Sequence, residues 1–216
     1  MRLHLGCGEK YLEGYVNIDF PLEAHSIQKT TKADLCADLL SLRYPPGSIE
    51  EIRLHHVFEH FTRPVACALL AGWHRWLVPG GLLHLEVPDL EMTAKKINSR
   101  FVPMARKLVG IRHLFGSHEA GWAAHYEGYT AGTLRHLLRH FGFVAGTVSF
   151  NEWRGTYNVE MLASREKGPE VGGDPEERAR SYLRQYLLDE SEESLLDVWM
   201  VAWHRQYERM TDGGKQ

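Results

Sequence analysis

The segment that most constrains the fold is residues 3–19, LHLGCGEKYLEGYVNID, which joins two short apolar runs through a glycine-rich turn. The first run stops at Gly6-Cys7-Gly8, and the second ends in Asp19. Short apolar runs bounded by turn residues predict buried strands. In a doubly wound sheet, a nucleoside lies outside the carboxyl ends of the strands, where an acid takes its ribose hydroxyls. We therefore predict that Gly6 and Gly8 leave room for a ligand and that Asp19 holds its sugar.

The spacing within this segment excludes the two common phosphate-binding loops. A dinucleotide fingerprint requires a third glycine opening a helix and an acid roughly 20 residues further on. Tyr11 occupies the place of that glycine, and Asp19 follows Gly6 by only 13 positions. The chain contains no G-x-x-x-x-G-K-[ST] sequence either. A nucleoside without phosphates, such as S-adenosylmethionine, fits these residues better.

The composition predicts a cytoplasmic protein with one main domain. The 216 residues, 44% hydrophobic and 25% charged, suffice for one full core with an appendage. A net charge of −3 gives no cationic footprint for nucleic acid. No apolar run approaches the roughly 18 residues of a membrane span. The three cysteines are far apart and form no C-x-x-C pair, which predicts reduced thiols.

Alternating strand and helix patterns over residues 1–165 predict an α/β sheet with helices on both faces. Further strands are expected at 33–37, 49–57, 82–87, 143–150 and 157–164. One helix should start at Thr62-Arg63-Pro64, since proline suits the first helical position, and should end at Pro79-Gly80-Gly81. Another should follow Thr130 as its N-cap. Residues 100–129 are rich in histidine and aromatic side chains without clean periodicity, and we interpret them as a substrate insert.

The composition changes after Arg165, where a linker at 166–173 precedes two amphipathic helices at 174–210. The first helix should start at Asp174, and the second near Ser191. The predicted apolar stripe of the second helix is Leu195, Val198, Trp199, Ala202, Trp203 and Gln206. Such faces must be buried against something. We favour packing of this helical hairpin on the sheet domain, with a homodimer surface or a lid over the substrate site as the alternatives.

Five motifs follow one another along the chain: LHLGCG, NID, ADLL before a PPGS turn, LHHVFEHF and WLVPGGLLHLEVPDL. In this order they resemble the class I S-adenosylmethionine-dependent methyltransferases, most closely the small bacterial type. The resemblance covers residues 1 to about 164. It implies a Rossmann-like, seven-stranded, mostly parallel sheet whose one antiparallel strand is 157–164, with the first helix shortened to a loop at 9–14. The implied cofactor is S-adenosylmethionine, and its product is S-adenosylhomocysteine.

The resemblance also implies which residues bind the cofactor. Carried over position by position, they are Gly6, Cys7, Gly8, Asp19, Asp38, Leu39, His55 and His56. The glycine turn would face the methionine part and the ribose, whose hydroxyls Asp19 would bind. Asp38 would read the adenine amino group, unless it is a solvated turn acid. The backbone at 55–56 would lie against the methionine end.

Residues 56–60 also spell H-x-x-E-H, the inverted zinc-peptidase motif, which requires a helix. Period-two apolar residues before it and the helix start at Pro64 leave no long helix there. A second alternative is a metal-dependent O-methyltransferase, because certain such enzymes carry E-x-x-E-H here and bind a divalent ion. His56 replaces their first glutamate, which weakens a hard-cation site. We therefore predict no metal, with Glu59 and His60 organising the loop.

Methyl transfer from a sulfonium requires an aligned acceptor and one group that takes a proton. Histidine suits this task near neutral pH, so His60 is the first candidate base, followed by His125 and Asp89. The resemblance implies a small-molecule acceptor, such as a hydroxyl or amine of a sugar or secondary metabolite. A rival from another class is a non-catalytic nucleoside-binding or scaffold module whose partner surface is the helical hairpin.

Overall fold

The computed structural model describes residues 1–24, 28–167 and 173–211. Within them the chain forms a seven-stranded sheet of order β3-β2-β1-β4-β5-β7-β6. The strands are β1 (Arg2–Leu5), β2 (Val16–Asp19), β3 (Leu35–Cys36), β4 (Ile49–His55), β5 (Leu77–Pro88), β6 (Phe143–Trp153) and β7 (Thr156–Arg165). Strands β1 to β5 pair in parallel, whereas β7 runs antiparallel to both of its neighbours. The predicted α/β class and mostly parallel Rossmann-like sheet are confirmed.

Helices lie on both faces of this sheet, as predicted. They are α1 (Arg63–Trp76), α2 (Leu90–Asn98), α3 (Met104–Phe115), α4 (Ala131–His140), α5 (Pro175–Arg184) and α6 (Glu193–Thr211). Helices α1 and α4 pack on the apolar face, and α5 and α6 pack on α1. On the other face, His113 of α3 hydrogen-bonds to Asn158, whose side chain points away from the core-facing Val159. Between β1 and β2, residues 9–14 form turns rather than a helix, as expected.

Side-chain alternation along β1 explains the histidine that interrupts its apolar run. Leu3 and Leu5 are buried in the core. His4 points to the opposite face, where its Nδ1 lies 3.0 Å from Oδ1 of Asn17 on β2. The same amide donates a hydrogen bond to the carbonyl of Leu12 in the loop that replaces the first helix. The alternation Leu-His-Leu in β1 therefore indicates a sheet with one apolar and one polar face.

The boundary between α1 and β5 differs from the prediction. Helix α1 begins at Arg63 as expected, but β5 starts at Leu77 rather than at Leu82. Leu77 pairs with Ile49 and Leu82 pairs with Glu51, so the Pro-Gly-Gly residues lie in an irregularity of the ladder. Almost all of α1 is buried, because the sheet covers one side and α6 the other. No single apolar stripe could describe such a helix.

The predicted substrate insert contains two elements that its sequence did not reveal. Helix α3 lies within it, and a short 3-10 helix follows at Gly121–Ala123. Periodicity was no guide because α3 leaves several large apolar side chains exposed: Met104, Leu108, Val109, Ile111 and Phe115. The following helix α4 starts at Ala131, and Thr130 before it forms a capping box with Thr133, which confirms the predicted N-cap.

The helical hairpin packs on α1, and of the predicted stripe of α6 only Trp203 and Gln206 are fully buried. The buried residues are Leu196, Met200, Trp203, Gln206 and Met210. Val198 is 64% exposed and Leu195 38% exposed, so the buried face is rotated from the predicted one. Asp174 caps α5 as expected, while the predicted linker lies partly outside the described residues. Among the described helices, none is long and apolar enough to cross a membrane.

A histidine in α1 should make stability depend on pH. Burial of the His74 ring, reinforced by Arg165 and Arg178, lowers its pKa to about 4. The folded chain keeps this ring neutral, whereas the unfolded chain binds a proton below about pH 6.5, so stability is lost as the pH falls from there toward 4. Between pH 6.5 and 4, the free energy of unfolding of His74→Gln should fall by about 2 kcal/mol less than that of the wild type. Urea unfolding at a series of pH values measures the difference. If the unfolding free energies of the two proteins ran parallel with pH below 6.5 as well, the assignment would be wrong. Above pH 7 they should run parallel, which is the internal control.

Candidate functional site

The predicted cofactor turn lies at the point where the strand order reverses. Strand β1 stands between β2 and β4, and a crevice opens at their carboxyl ends. A cavity of about 990 Å³ occupies this position. Gly6 and Gly8 follow β1 with φ angles of +68° and +55°, which favour glycine. A Cβ at Gly6 would collide with Cγ2 of Val57, whereas no atom lies within 4 Å of the corresponding position at Gly8. The turn therefore presents bare backbone to the cavity.

Six of the eight predicted cofactor residues line this cavity. They are Gly6, Gly8, Asp19, Asp38, Leu39 and His56. The Cys7 side chain is buried outside the lining, and burial raises its pKa to about 11, so the thiol stays protonated. His55 also lies outside the lining, because its side chain points to the polar face of the sheet. There its Nδ1 lies 3.6 Å from Oε2 of Glu86.

The two predicted ligand-binding acids are held in place by hydrogen bonds. Oδ1 of Asp19 accepts from the backbone N–H of Phe20 at 2.8 Å, and Oδ2 accepts from the amide of Gln28 at 3.3 Å. Asp38 accepts from the backbone N–H of Leu40 at 2.9 Å. Both carboxylates are thus oriented at the cavity wall by the chain itself, which lowers the entropic cost of binding a ligand.

The far wall of the cavity comes from the insert. Glu119, Trp122 and Tyr126 line it. The backbone N–H of Tyr126 donates to the carbonyl of Glu59 at 2.9 Å, which fastens the insert to the turn after β4. The sequence indicated the insert only through its histidines and aromatic residues, and no local pattern named the individual side chains that reach the cavity.

Residues 56–60 combine a left-handed residue with a 3-10 helix rather than a long helix. His56 has φ +55°, and the 3-10 helix spans Phe58–His60. The helix that an inverted zinc-peptidase site needs is therefore missing, as predicted. The His56 ring lies between two carboxylates, with Nδ1 3.4 Å from Oε1 of Glu59 and Nε2 3.2 Å from Oε1 of Glu86. Burial alone would lower the pKa of His56, but these carboxylates outweigh it and raise the pKa to about 9.

Glu59 is fully buried, and His60 and His125 meet beside it. The rings of His60 and His125 are edge to face, with centroids 4.5 Å apart. Nδ1–H of His60 donates to the carbonyl of Ala124 at 3.2 Å, so the neutral ring keeps a free lone pair on Nε2. Nε2 of His125 lies 3.9 Å from Oε1 of Glu59, and burial lowers the pKa of His125 to about 4. The low pKa thus keeps the His125 ring neutral at neutral pH, and the neutral form of the His60 ring has its lone pair on Nε2.

A second cavity of about 910 Å³ shares a wall with the first. His56, His60, Glu119 and Trp122 line both cavities, and His125 lines the second. The two predicted histidine bases therefore lie where the cavities meet. Such an arrangement can hold two ligands on either side of a common proton acceptor.

Asp89, the third predicted base, lies apart from both cavities. Its side chain is 2% exposed and accepts from the backbone N–H of Met92 at 3.1 Å, which caps α2. Capping explains why a carboxylate is buried at this position. We leave Asp89 out of the proposed mechanism.

Comparison with known proteins identifies the fold. No protein-family model matches the sequence, and no curated protein matches it. A S-adenosylmethionine-dependent methyltransferase of Methanosarcina mazei is similar, with 18% identity and a TM-score of 0.51 over 77% of this chain and 92% of the other. A methyltransferase of Mesorhizobium loti dependent on S-adenosylmethionine has 17% identity and a TM-score of 0.50 over 76% and 90% of the two chains.

A third similar structure is the 1,6-didemethyltoxoflavin-N1-methyltransferase of Burkholderia thailandensis, solved with 1,6-didemethyltoxoflavin and S-adenosylhomocysteine bound. It has 15% identity and a TM-score of 0.53 over 77% of this chain and 71% of the other. At these identities the likeness concerns the fold alone. The chain has the class I fold of the S-adenosylmethionine-dependent methyltransferases.

Proposed function

We propose that this protein is an S-adenosylmethionine-dependent methyltransferase that acts on a hydroxyl or amine of a small molecule, such as a sugar or secondary metabolite. The observation that carries the proposal is the convergence of the Gly6–Gly8 backbone, Asp19 and Asp38 on one cavity at the switch point of the sheet. The open space at Gly8 admits a ligand close to the backbone. Asp19 then binds the ribose hydroxyls, and Asp38 the adenine amino group.

Removing a proton from the acceptor is the main chemical task left to the protein. When bound, S-adenosylmethionine supplies an activated methyl group, and its transfer to a neutral acceptor releases S-adenosylhomocysteine and one proton. Nε2 of His60 is the first candidate to take this proton, because its lone pair is left free by the bond from Nδ1–H to Ala124. His125 is the second candidate. Both lie on the wall of the acceptor cavity, within reach of a group held there.

The second cavity is the proposed acceptor site. Its lining combines indole rings at Trp122 and Trp153 with polar groups at Arg112, Asn151 and Asn158. Aromatic faces with surrounding hydrogen-bonding groups suit a small ring that carries several polar substituents. This mixture supports a sugar or polar metabolite as the acceptor class.

Two measurements test the proposed function. We expect calorimetry to detect binding of S-adenosylmethionine and S-adenosylhomocysteine at one site per chain. A panel of sugars and small metabolites incubated with methyl-tritiated cofactor should then yield at least one labelled product. Absence of cofactor binding would overturn the proposal. Tight binding without transfer to any acceptor would favour the rival interpretation, a non-catalytic nucleoside-binding module.

A further inference from the structure

We propose that Glu59, His60 and His125 form a binding site for a divalent transition-metal ion between the two cavities. One potential ligand atom from each of these side chains lies within 4.8 Å of the others. The first two residues come from the 3-10 helix after β4, and His125 comes from the insert. Their convergence therefore depends on the docking of the insert against the turn.

The Glu59 carboxylate is the strongest sign that something is bound here. It is fully buried, and neither oxygen has a hydrogen-bond donor among the described residues. A buried carboxylate normally accepts several hydrogen bonds or coordinates a metal, because desolvation without compensation is costly. The nearest basic group is Nδ1 of His56, 3.4 Å from Oε1, and Nε2 of His125 approaches the same oxygen at 3.9 Å. Both oxygens are buried without a hydrogen bond, so the carboxylate can still take a further positive charge.

The His60 imidazole is arranged as metal-ligating imidazoles usually are, whereas Nδ1 of His125 is buried without a hydrogen-bond partner among the described residues. Metal-ligating histidines donate their second ring N–H to a carbonyl or carboxylate, which fixes the ring and its tautomer. His60 does this through the bond from Nδ1–H to the Ala124 carbonyl, which leaves Nε2 for the metal. Nε2 of His125 lies 3.9 Å from a Glu59 oxygen. Ligands about 2.0–2.2 Å from one ion lie roughly 3–3.5 Å apart, so side-chain shifts of about 1 Å would close the site.

The donor set selects the kind of ion. Two imidazoles and one carboxylate suit zinc and its neighbours in the first transition row better than magnesium or calcium, which prefer oxygen ligands. Three protein ligands with an open coordination position are the pattern of a catalytic zinc site. His60 lines both cavities and His125 lines the second, so the open position would face the proposed acceptor.

Metal binding would change how the acceptor loses its proton, and this step rests on the proposed function. With their lone pairs on the ion, His60 and His125 would be ligands rather than direct bases. At its open position the ion would lower the pKa of an acceptor hydroxyl, whose proton would pass to solvent. An oxygen lone pair of the acceptor would form the new bond to the methyl carbon as the carbon–sulfur bond breaks and its electrons return to sulfur.

The test is direct titration of the chelator-treated, tag-free protein with Zn²⁺ and with Co²⁺. We expect one ion per chain by calorimetry, and visible Co²⁺ absorption typical of a site with few ligands. His125→Ala and Glu59→Gln should each weaken Zn²⁺ binding at least 100-fold. The matched control is His118→Ala, a change of an exposed histidine in the same insert, and it should leave binding unchanged. Circular dichroism and thermal unfolding verify that each variant is folded.

The outcomes separate this site from the proposed function. The metal site would be overturned if the wild type bound no stoichiometric ion, or if His125→Ala and Glu59→Gln bound Zn²⁺ as tightly as the wild type. The His56–Glu59 ion pair would then be the whole explanation of the buried acid. Cofactor affinity is measured on the metal-free and the metal-loaded protein. Cofactor binding without metal binding removes this inference alone, whereas metal binding without cofactor binding removes the methyltransferase proposal and keeps the site.

Discussion

Asp19→Ala should weaken the binding of S-adenosylmethionine by about 100-fold or more. The variant loses the carboxylate that would accept hydrogen bonds from both ribose hydroxyls, and a hydrogen bond to a charged group contributes about 1.5–3 kcal/mol. A loss of about 2.7 kcal/mol corresponds to the 100-fold change. Part of the effect comes from Gln28, which donates to Oδ2 of Asp19 and would lose its partner. Isothermal calorimetry with the cofactor measures the affinity directly.

The control for this variant is Glu13→Ala. Glu13 is an exposed acid in the loop between β1 and β2, outside the lining of the cavity. The Glu13→Ala substitution removes the same charge from the same region, but it touches no part of the cavity. The affinity of this variant for S-adenosylmethionine should therefore stay close to that of the wild type. Equal affinity in Asp19→Ala and wild type would mean that the ribose contact is misplaced. An equal loss in both variants would point to a general electrostatic effect.

Trp203→Ala should lower the free energy of unfolding by about 3–5 kcal/mol, the cost of deleting a large buried aromatic side chain. The Trp203 ring is 2% exposed and stacks on Tyr207 with centroids 4.7 Å apart. It lies on the face of α6 that packs on α1. A change of this size in a chain of 216 residues corresponds to a drop in Tm of roughly 10 °C. Chemical denaturation and calorimetric melting measure the two quantities.

The matched variant in the same helix is Val198→Ala. Val198 is 64% exposed, so its truncation should change stability by no more than about 0.5 kcal/mol. The sequence alone predicted that Val198 and Trp203 share one buried stripe. If both substitutions destabilised the protein strongly, that earlier assignment would be right, and the orientation of α6 described above would be wrong.

The first nineteen residues could be predicted because their signals are local. Two short apolar runs, a glycine turn and a terminal acid determine strand, turn and strand without help from distant residues. Gly6 also needs its small size against Val57, a contact between segments that the sequence does not reveal. Asp19 and Asp38 reach the cavity as predicted, because each ends or follows a strand at the same edge of the sheet.

The parts that could not be predicted depend on tertiary contacts. Helix α6 carries apolar residues on two faces, including Val198 on the exposed one and Trp203 on the buried one, so periodicity alone could not choose between them. The convergence of His125 on Glu59 joins positions far apart in the chain. Asp89 resembled a site acid because it follows a strand, but the start of α2 uses its carboxylate.

The position of α1 between the sheet and α6 has a consequence for any shortened form of the chain. Met210 packs directly against Gly72, and Gln206 donates to the carbonyl of Leu40 at 3.0 Å. A polypeptide stopped before Asp174 would leave one side of an almost wholly apolar helix in water. The residues from Asp174 onward are thus part of the hydrophobic core. A fragment without them would tend to self-associate through the uncovered helix α1.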